Sequence, residues 1–280
     1  MSSILIDVLN ETIEITFFIL IMMAVVDVLN VWTRGKISLL LKGKSKFRQY
    51  IVASFIGAIP GCWGGFTNVT LYIHGLISFG ALAGSMAAAS GDEAFVMLSL
   101  FPGTAVLLFF ILFVVSIVSG RLTDVLVRKF NIATKIDHHE LVVHSSEKTF
   151  KHFLREHVFE HIIKKHIWKI AIWTFGALLF VEIVSRYVHF EHITTEYKLL
   201  LLFLSAIIGL IPESGPHLIF VTLFAEGLIP FSVLLTSSIV QDGHGMLPLL
   251  SYSVKDSVII KAFNFFFGII LGLIVFGFGY

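Results

Sequence analysis

A segment of 44 residues, in which proline and glycine interrupt apolar runs, occurs twice in the chain. Residues 56–99 read IGAIPGCWGGFTNVTLYIHGLISFGALAGSMAAASGDEAFVMLS, and residues 208–251 read IGLIPESGPHLIFVTLFAEGLIPFSVLLTSSIVQDGHGMLPLLS. The two stretches align without a gap at an offset of 152 residues, and 16 of the 44 positions are identical. Several identities are Pro or Gly, which interrupt helices and match by chance less readily than apolar residues. The pattern indicates an internal duplication.

The composition indicates a membrane protein. Of the 280 residues, 56% are hydrophobic and 14% are charged, and the mean hydropathy is +0.91, whereas a soluble domain carries about 25% charged residues. The formal net charge of +1 excludes nucleic acid as the main partner. The chain has one cysteine, which excludes an intrachain disulfide and a metal site built from several thiolates.

Apolar runs of two lengths alternate along the chain. Runs near the length that crosses a bilayer lie at residues 15–32, 94–120, 167–185, 197–212 and 258–278. Shorter pieces, broken by Gly and Pro, lie at residues 50–60, 63–77, 80–89, 215–227, 230–240 and 246–253. The first long run follows an acidic opening without a basic leader, so we expect a retained span rather than a cleaved signal.

These runs predict an all-α polytopic membrane protein made of two repeats with about five helical elements each. If each repeat crosses the membrane an odd number of times, the second repeat has the opposite orientation in the membrane. Residues 34–48 carry six Lys or Arg, but the matching residues 186–198 carry two, so the first loop is predicted to be cytoplasmic and its counterpart external. Before the last span of each repeat, the distribution of basic residues is reversed. The second repeat has Lys255 and Lys261 there, whereas the corresponding GDEAF segment of the first repeat has no basic residue. Both biases predict inverted topology with both termini outside.

A polar linker joins the two membrane repeats. The predicted boundaries are 1–120 for the first repeat, 121–166 for a cytoplasmic linker and 167–280 for the second repeat. The linker holds seven of the twelve histidines, and residues 145–169 show the spacing of an amphipathic helix on the membrane surface. Its histidines either capture metal or sense pH, or are half-exposed residues of an interfacial helix.

Inverted repeats with short, interrupted helices are typical of secondary transporters, in which half-helix ends hold the substrate near the bilayer midplane. Non-helical backbone is tolerated at that depth only beside protein or a water-filled cavity. The predicted helix breaks lie at matched positions of the two halves: Pro60, Gly61, Gly91, Pro212, Gly215 and Gly243.

Ionisable residues within apolar segments mark candidate ion or substrate sites, because they are costly to bury in a membrane. The candidates for substrate or metal binding are Asp92, Glu93, Glu213, His217, Asp242 and His244. The candidates for a coupling or secondary role are Asp27, Glu182, Glu226 and Asn68. Each has a simpler interpretation as a helix cap, a protonated acid or a residue at the water interface. Carboxylates with imidazoles suit Mn(II), Fe(II), Co(II) or Zn(II) better than Cu(I).

The motifs also resemble a known family. The first half contains IPG, GDEAF and LFP, the second contains IPESGPH, QDGHG and LLSYS, and a His-rich loop lies between them. This pattern resembles the ten-span heavy-metal exporters of bacteria, whose members are often described as manganese transporters. The resemblance covers most of the chain and implies efflux of a divalent metal. It also implies metal binding by Asp92 and Glu93 of GDE, by Glu213 and His217 of PESGPH, and by Asp242 and His244 of QDGHG.

The expected function is export of a divalent transition-metal cation, manganese first, across the inner membrane by alternating access with protons as coupling ion. The metal is substrate rather than cofactor, and the lipid bilayer is the main partner. The sequence is compatible with a homo-oligomer. A transporter of an anion or organic solute is the nearer alternative, because half-helix N termini favour negative charge. An intramembrane metal-dependent hydrolase is the more distant one, because HExxH and a Ser/His/Asp arrangement are absent. We therefore expect no enzyme.

Overall fold

The computed structural model of the chain describes residues 5–10, 12–14, 16–17, 20–21, 45–61, 63–91, 93–132, 134, 168, 171–172, 175–176, 179, 197–213 and 215–280. Within these residues the backbone is mostly helical and has no β-strand, which confirms the predicted all-α class. The strand-like feature there is one antiparallel bridge between Gly61 and Gly91.

From Lys46 onward, the described residues of the first half contain five helices, separated by breaks at proline and glycine. They are α1 (Lys46–Gly57), α2 (Trp63–Ile73), α3 (Phe79–Ala88), α4 (Glu93–Leu100) and α5 (Pro102–Lys129). The second half has the same order, with α6 (Lys198–Gly209), α7 (Gly215–Ala225), α8 (Phe231–Val240), a 3₁₀ turn (Gly243–Gly245), α9 (Met246–Tyr252) and α10 (Val254–Gly277).

The helix boundaries of the two halves correspond at the offset of the sequence alignment. Helices α1, α2 and α3 begin and end 152 residues before α6, α7 and α8, and α5 begins 152 residues before α10. The local conformation therefore follows the duplicated sequence, because proline and glycine residues at matched positions interrupt helical hydrogen bonding in both halves.

Two described helices, α5 and α10, are long and apolar enough to cross a membrane. The predicted single span at 94–120 is wrong, because it consists of α4 and α5 with a break at Phe101. Pro102 occupies the first turn of α5, where the missing N–H costs nothing. Helix α5 continues to Lys129, beyond the predicted repeat boundary at residue 120, and α10 begins at Val254 rather than at residue 258.

Small residues bring the helices of each half close together. In the first half, Gly80 and Gly84 of α3 lie directly against backbone oxygens of α5. In the second half, Gly268 and Gly272 of α10 lie against Thr236 of α8. Close backbone approach of this kind is how helices associate in a bilayer, where there is no hydrophobic driving force between them.

The two halves are interleaved through their short helices. Helix α2 of the first half packs on the 3₁₀ turn and α9 of the second half, and α7 packs on α4 in the reciprocal arrangement. Gly65 and Gly245 meet at one of these crossings, where a Cβ atom on Gly65 would lie 2.8 Å from the Gly245 Cα atom. Buried residues of both halves share one core cluster, with Tyr72 and Leu82 beside Met246 and Ile260.

Several predicted features lie outside the described residues. These are the greater part of the first span, the loops at 34–44 and 186–196, most of the run at 167–185, and the amphipathic helix at 145–169.

Candidate functional site

The predicted breaks lie between helices or at a helix start. Pro60 and Gly61 separate α1 from α2, and Gly91 separates α3 from α4. The two breaks of this half meet, because the Gly61 amide donates a 2.9 Å hydrogen bond to the Gly91 carbonyl oxygen. Both glycines have positive φ, 92° and 56°, which a side chain would strain.

In the second half, Pro212 lies between α6 and α7, and Gly215 is the first residue of α7. Gly243, with a φ of 51°, opens the 3₁₀ turn that follows α8. The ends of four helices therefore meet around these breaks, and each end leaves backbone groups without a helical partner.

Asp242 is the centre of a buried polar cluster at the second of these breaks. Its side chain is fully buried and forms an ion pair with the ammonium group of Lys261. Asn264 Nδ2 donates a 3.3 Å hydrogen bond to Asp242 Oδ1. A lone carboxylate in this position would cost several kcal/mol to desolvate, and the two α10 side chains offset that cost.

Glu213 and His244 form a second buried pair. His244 Nε2 lies 2.8 Å from Glu213 Oε2, within hydrogen-bond distance. The other oxygen, Oε1, accepts a 3.4 Å hydrogen bond from the Gly215 amide at the start of α7. The pair therefore links the break before α7 to the break before α9.

His217 lies one turn further along α7 and is buried. Its Nδ1 atom is 3.0 Å from Ser237 Oγ on α8. Its Nε2 atom is buried and has no hydrogen-bond partner among the described residues. A ring oriented by a hydroxyl, with the second nitrogen unused, is the arrangement of a histidine ligand with its supporting hydrogen bond.

The other candidates occupy different positions. Glu93 is buried at the first residue of α4, the helix that packs on α7. Asn68 is buried on α2, and its Nδ2 donates a 2.9 Å hydrogen bond to the Ala53 carbonyl oxygen of α1. Glu226 is exposed just beyond the end of α7, away from the buried clusters. Asp27, Asp92 and Glu182 lie outside the described residues.

The predicted ligands among the described residues do not form a single metal-coordination shell. Among them, no three side chains of His, Cys, Asp and Glu lie close enough together to hold a metal ion. The structure instead places Glu213 with His244, Asp242 with Lys261, and His217 with Ser237. A metal bound here would need oxygen atoms of the backbone or of Asn264, or a carboxylate outside the described residues, to complete its coordination.

A cavity lies beside the break of the first half. It measures about 410 Å³ and is lined by Ile56, Ile59, Pro60, Gly64 and Thr67. Its walls are mostly apolar, in contrast to the charged clusters of the second half. The corresponding breaks of the two halves therefore have different surroundings.

A family model described as "Putative, 10TM heavy-metal exporter" matches residues 1–177 and 151–278. The two matches together cover nearly the whole chain. The chain belongs to this exporter family. Comparisons with curated proteins and with solved structures find no match.

Membership of the exporter family confirms the family resemblance of the sequence. It also confirms the expectations that the chain is a transporter and that it lies in a membrane. An exporter of heavy metals is a transporter rather than an enzyme, and a family of ten spans lies in a membrane. The two long apolar helices agree with that location. A lipid bilayer and a metal ion are therefore the partners of the chain.

Lys261, which the charge pattern of the sequence places in a cytoplasmic loop, lies within helix α10. Helix α10 begins at Val254, with Ser253 Oγ accepting from the Asp256 amide 3.2 Å away, so Lys261 lies seven residues into the helix. At 1.5 Å per residue this is about 10 Å from the helix start. An S-x-x-D pattern before an apolar run was the available signal. Of the two basic residues counted for topology, Lys255 lies exposed in the first turn of α10.

Proposed function

We propose that the chain is a secondary transporter that exports a divalent transition-metal cation, with manganese as its main substrate. The observation that carries this proposal is the buried carboxylate of Asp242 at a helix break, paired with the Lys261 ammonium group and the Asn264 amide. Buried ionisable groups at interrupted helices are the usual substrate or coupling sites of membrane transporters.

The donor atoms favour a hard cation. Asp242 supplies a carboxylate, and the ends of α6 and α8 supply carbonyl oxygens. The Asn264 amide oxygen is buried and has no hydrogen-bond partner within the described part of the chain. Carboxylate and carbonyl oxygens suit Mn²⁺, whereas Cu(I) selects thiolates. Imidazole at His217 and His244 would extend the range to Fe(II), Co(II) and Zn(II). Since the chain has a single cysteine, a thiolate-based substrate site is the less suitable alternative.

Two inverted repeats would give the exporter its alternating access. The equal spacing of the helix boundaries and the reciprocal packing of α2 and α7 support a two-fold relation between the halves. In this scheme the cation binds where the short helices of the two repeats cross. One repeat then rocks against the other, so that the site opens first to the cytoplasm and then to the outside.

Protons are the proposed coupling ion. A carboxylate binds either a proton or a metal, so metal binding at Glu213 would compete with protonation. Protons entering from outside would then help to release the metal and would return with the empty carrier.

Transport and binding of Mn²⁺ test the proposal directly. We expect the purified full chain to bind Mn²⁺ in calorimetry, and inside-out vesicles to accumulate it when a proton gradient is imposed. Asp242→Asn and Glu213→Gln preserve shape and remove a charge, and each should weaken binding by roughly 2 to 4 kcal/mol, about 30-fold to 1000-fold.

Asp7→Asn is the matched control, because Asp7 is exposed near the N terminus and should leave binding unchanged. Wild-type affinity in both Asp242→Asn and Glu213→Gln would overturn the metal site. Absence of Mn²⁺, Fe²⁺, Co²⁺ and Zn²⁺ uptake by wild-type vesicles would overturn the function itself.

Single cysteines test the topology in a Cys62→Ser background. The inverted arrangement places the linker at 121–166 inside, and residues 186–196 and both termini outside. A cysteine at His152 should therefore react with an impermeant reagent only from the cytoplasmic side, and one at His189 only from the external side. Labelling of both from the same side would contradict the inverted repeat.

A further inference from the structure

Lys261 occupies the most complete cation site among the described residues. Its ammonium group forms an ion pair with Asp242 and donates hydrogen bonds to the carbonyl oxygens of Gly209, at 2.9 Å, and Val240, at 3.3 Å. The side chain is only 12% exposed. An ammonium group has three hydrogens, and these three oxygens account for all of them.

The three oxygens come from places where a cation is favoured. Gly209 and Val240 are the last residues of α6 and α8, so their carbonyl oxygens lie at the negative ends of two helix dipoles. Asp242 follows α8 by two residues, and Asn264, one turn after Lys261 on α10, bonds its carboxylate. Without the ammonium group, this set would present one carboxylate and two carbonyl oxygens to a metal ion.

A divalent cation cannot share these oxygens with the ammonium group. Two positive charges a few ångströms apart in a poorly hydrated site repel each other strongly. The lysine side chain, however, is a flexible four-carbon stem that can swing away from Asp242 without movement of the helix. The site therefore holds either its own lysine or an external cation.

We propose that the Lys261 ammonium group is a tethered occupant of the Asp242 site, and that the substrate cation binds by displacing it. This inference rests on the proposed function and adds to it the residue that sets affinity and allows the empty carrier to return. When the metal leaves, Lys261 returns to Asp242, so the empty site crosses the membrane without an unpaired carboxylate.

Two substitutions of Lys261 should change Mn²⁺ affinity in opposite directions. Lys261→Gln removes the competing charge, and we expect about 10-fold to 100-fold tighter binding by calorimetry on the full chain. Lys261→Arg replaces the ammonium with a guanidinium that binds a carboxylate with two hydrogen bonds, and we expect about 10-fold weaker binding. A purely structural lysine would shift both variants in the same direction.

Transport assays distinguish movement of the metal-bound carrier from return of the empty carrier. In Lys261→Gln vesicles, net Mn²⁺ uptake should fall because the empty site carries an unpaired charge, while exchange of internal for external Mn²⁺ should persist. Lys255→Gln is the matched control, since Lys255 is exposed on the first turn of the same helix and should match the wild type.

The outcomes distinguish this inference from the proposed function. Mn²⁺ binding by the wild type with unchanged or weaker binding by folded Lys261→Gln overturns the inference and leaves the function standing. If Lys261→Gln does not fold, Lys261→Arg decides, because unchanged or tighter binding in that variant overturns the inference. Failure of the wild type to bind or transport any divalent cation overturns the proposed function first.

Discussion

Gln241 Nε2 donates a 3.0 Å hydrogen bond to the carbonyl oxygen of Ala89, and the two residues occupy the same position in the two halves of the chain. Both follow the helix of their half that ends just before the second break, α3 or α8. Gln241 Oε1 also accepts a 3.0 Å hydrogen bond from the Gly243 amide. One side chain therefore connects the corresponding breaks of the two halves.

Gln241→Leu should destabilise the chain. The substitution leaves the Ala89 oxygen and the Gly243 amide buried without these partners, and we expect a loss of about 1 to 3 kcal/mol in the free energy of unfolding. Thermal unfolding of detergent-purified protein measures the change. Thr222→Val is the control, because it removes an exposed hydrogen bond within one helix. Equal unfolding temperatures for the two variants would contradict a connecting role for Gln241.

Gly65→Ala should disturb the crossing of α2 with the 3₁₀ turn. A Cβ atom there would lie 2.8 Å from the Gly245 Cα atom, so one backbone segment must move, at a cost of about 1 to 3 kcal/mol. Gly103→Ala has no atom within 4 Å and should be neutral or stabilising, because alanine favours a helix more than glycine does. Comparison of the two unfolding temperatures tests the contact, and a stabilised Gly65→Ala would exclude it.

Ser237→Ala should weaken Mn²⁺ binding if His217 is a ligand. The hydroxyl group orients the imidazole through the 3.0 Å contact with Nδ1, and loss of such a partner costs about 10-fold to 100-fold in metal affinity. Ser232→Ala on the same helix is the control, since the buried Ser232 hydroxyl has no hydrogen-bond partner among the residues that the structure describes. Calorimetry with Mn²⁺ compares them, and equal affinities would remove His217 from the site.

Tyr72→Phe should weaken the packing between the two halves of the chain without changing the affinity for Mn²⁺. The Tyr72 hydroxyl of α2 donates a 2.8 Å hydrogen bond to the Asp256 carboxylate of α10, and a bond to a charged group contributes about 1.5 to 3 kcal/mol. Tyr197→Phe, at a tyrosine that is 58% exposed, should have little effect. We expect a lower unfolding temperature for Tyr72→Phe with unchanged Mn²⁺ affinity. A reduced affinity at an unchanged unfolding temperature would contradict this separation of roles.

Much of the secondary structure could be predicted from the duplicated sequence. Proline and glycine act on the backbone within a few residues, so Pro60 and Pro212 mark corresponding breaks without reference to the rest of the chain. The break at Phe101 was missed for a related reason. Proline is equally compatible with the first turn of a helix, and an apolar run gives no sign that one helix has ended and another has begun.

Composition and local backbone chemistry govern the class of the protein, most of its helix breaks and the burial of Glu93, Glu213 and Asp242, so these properties could be predicted from the sequence. The partners of these acids depend on the tertiary structure. Asp242 and Lys261 are 19 residues apart on different elements, and Glu213 and His244 are 31 apart. A charge in a low-dielectric interior must be compensated, but the compensating group is the one that helix packing brings within hydrogen-bond distance.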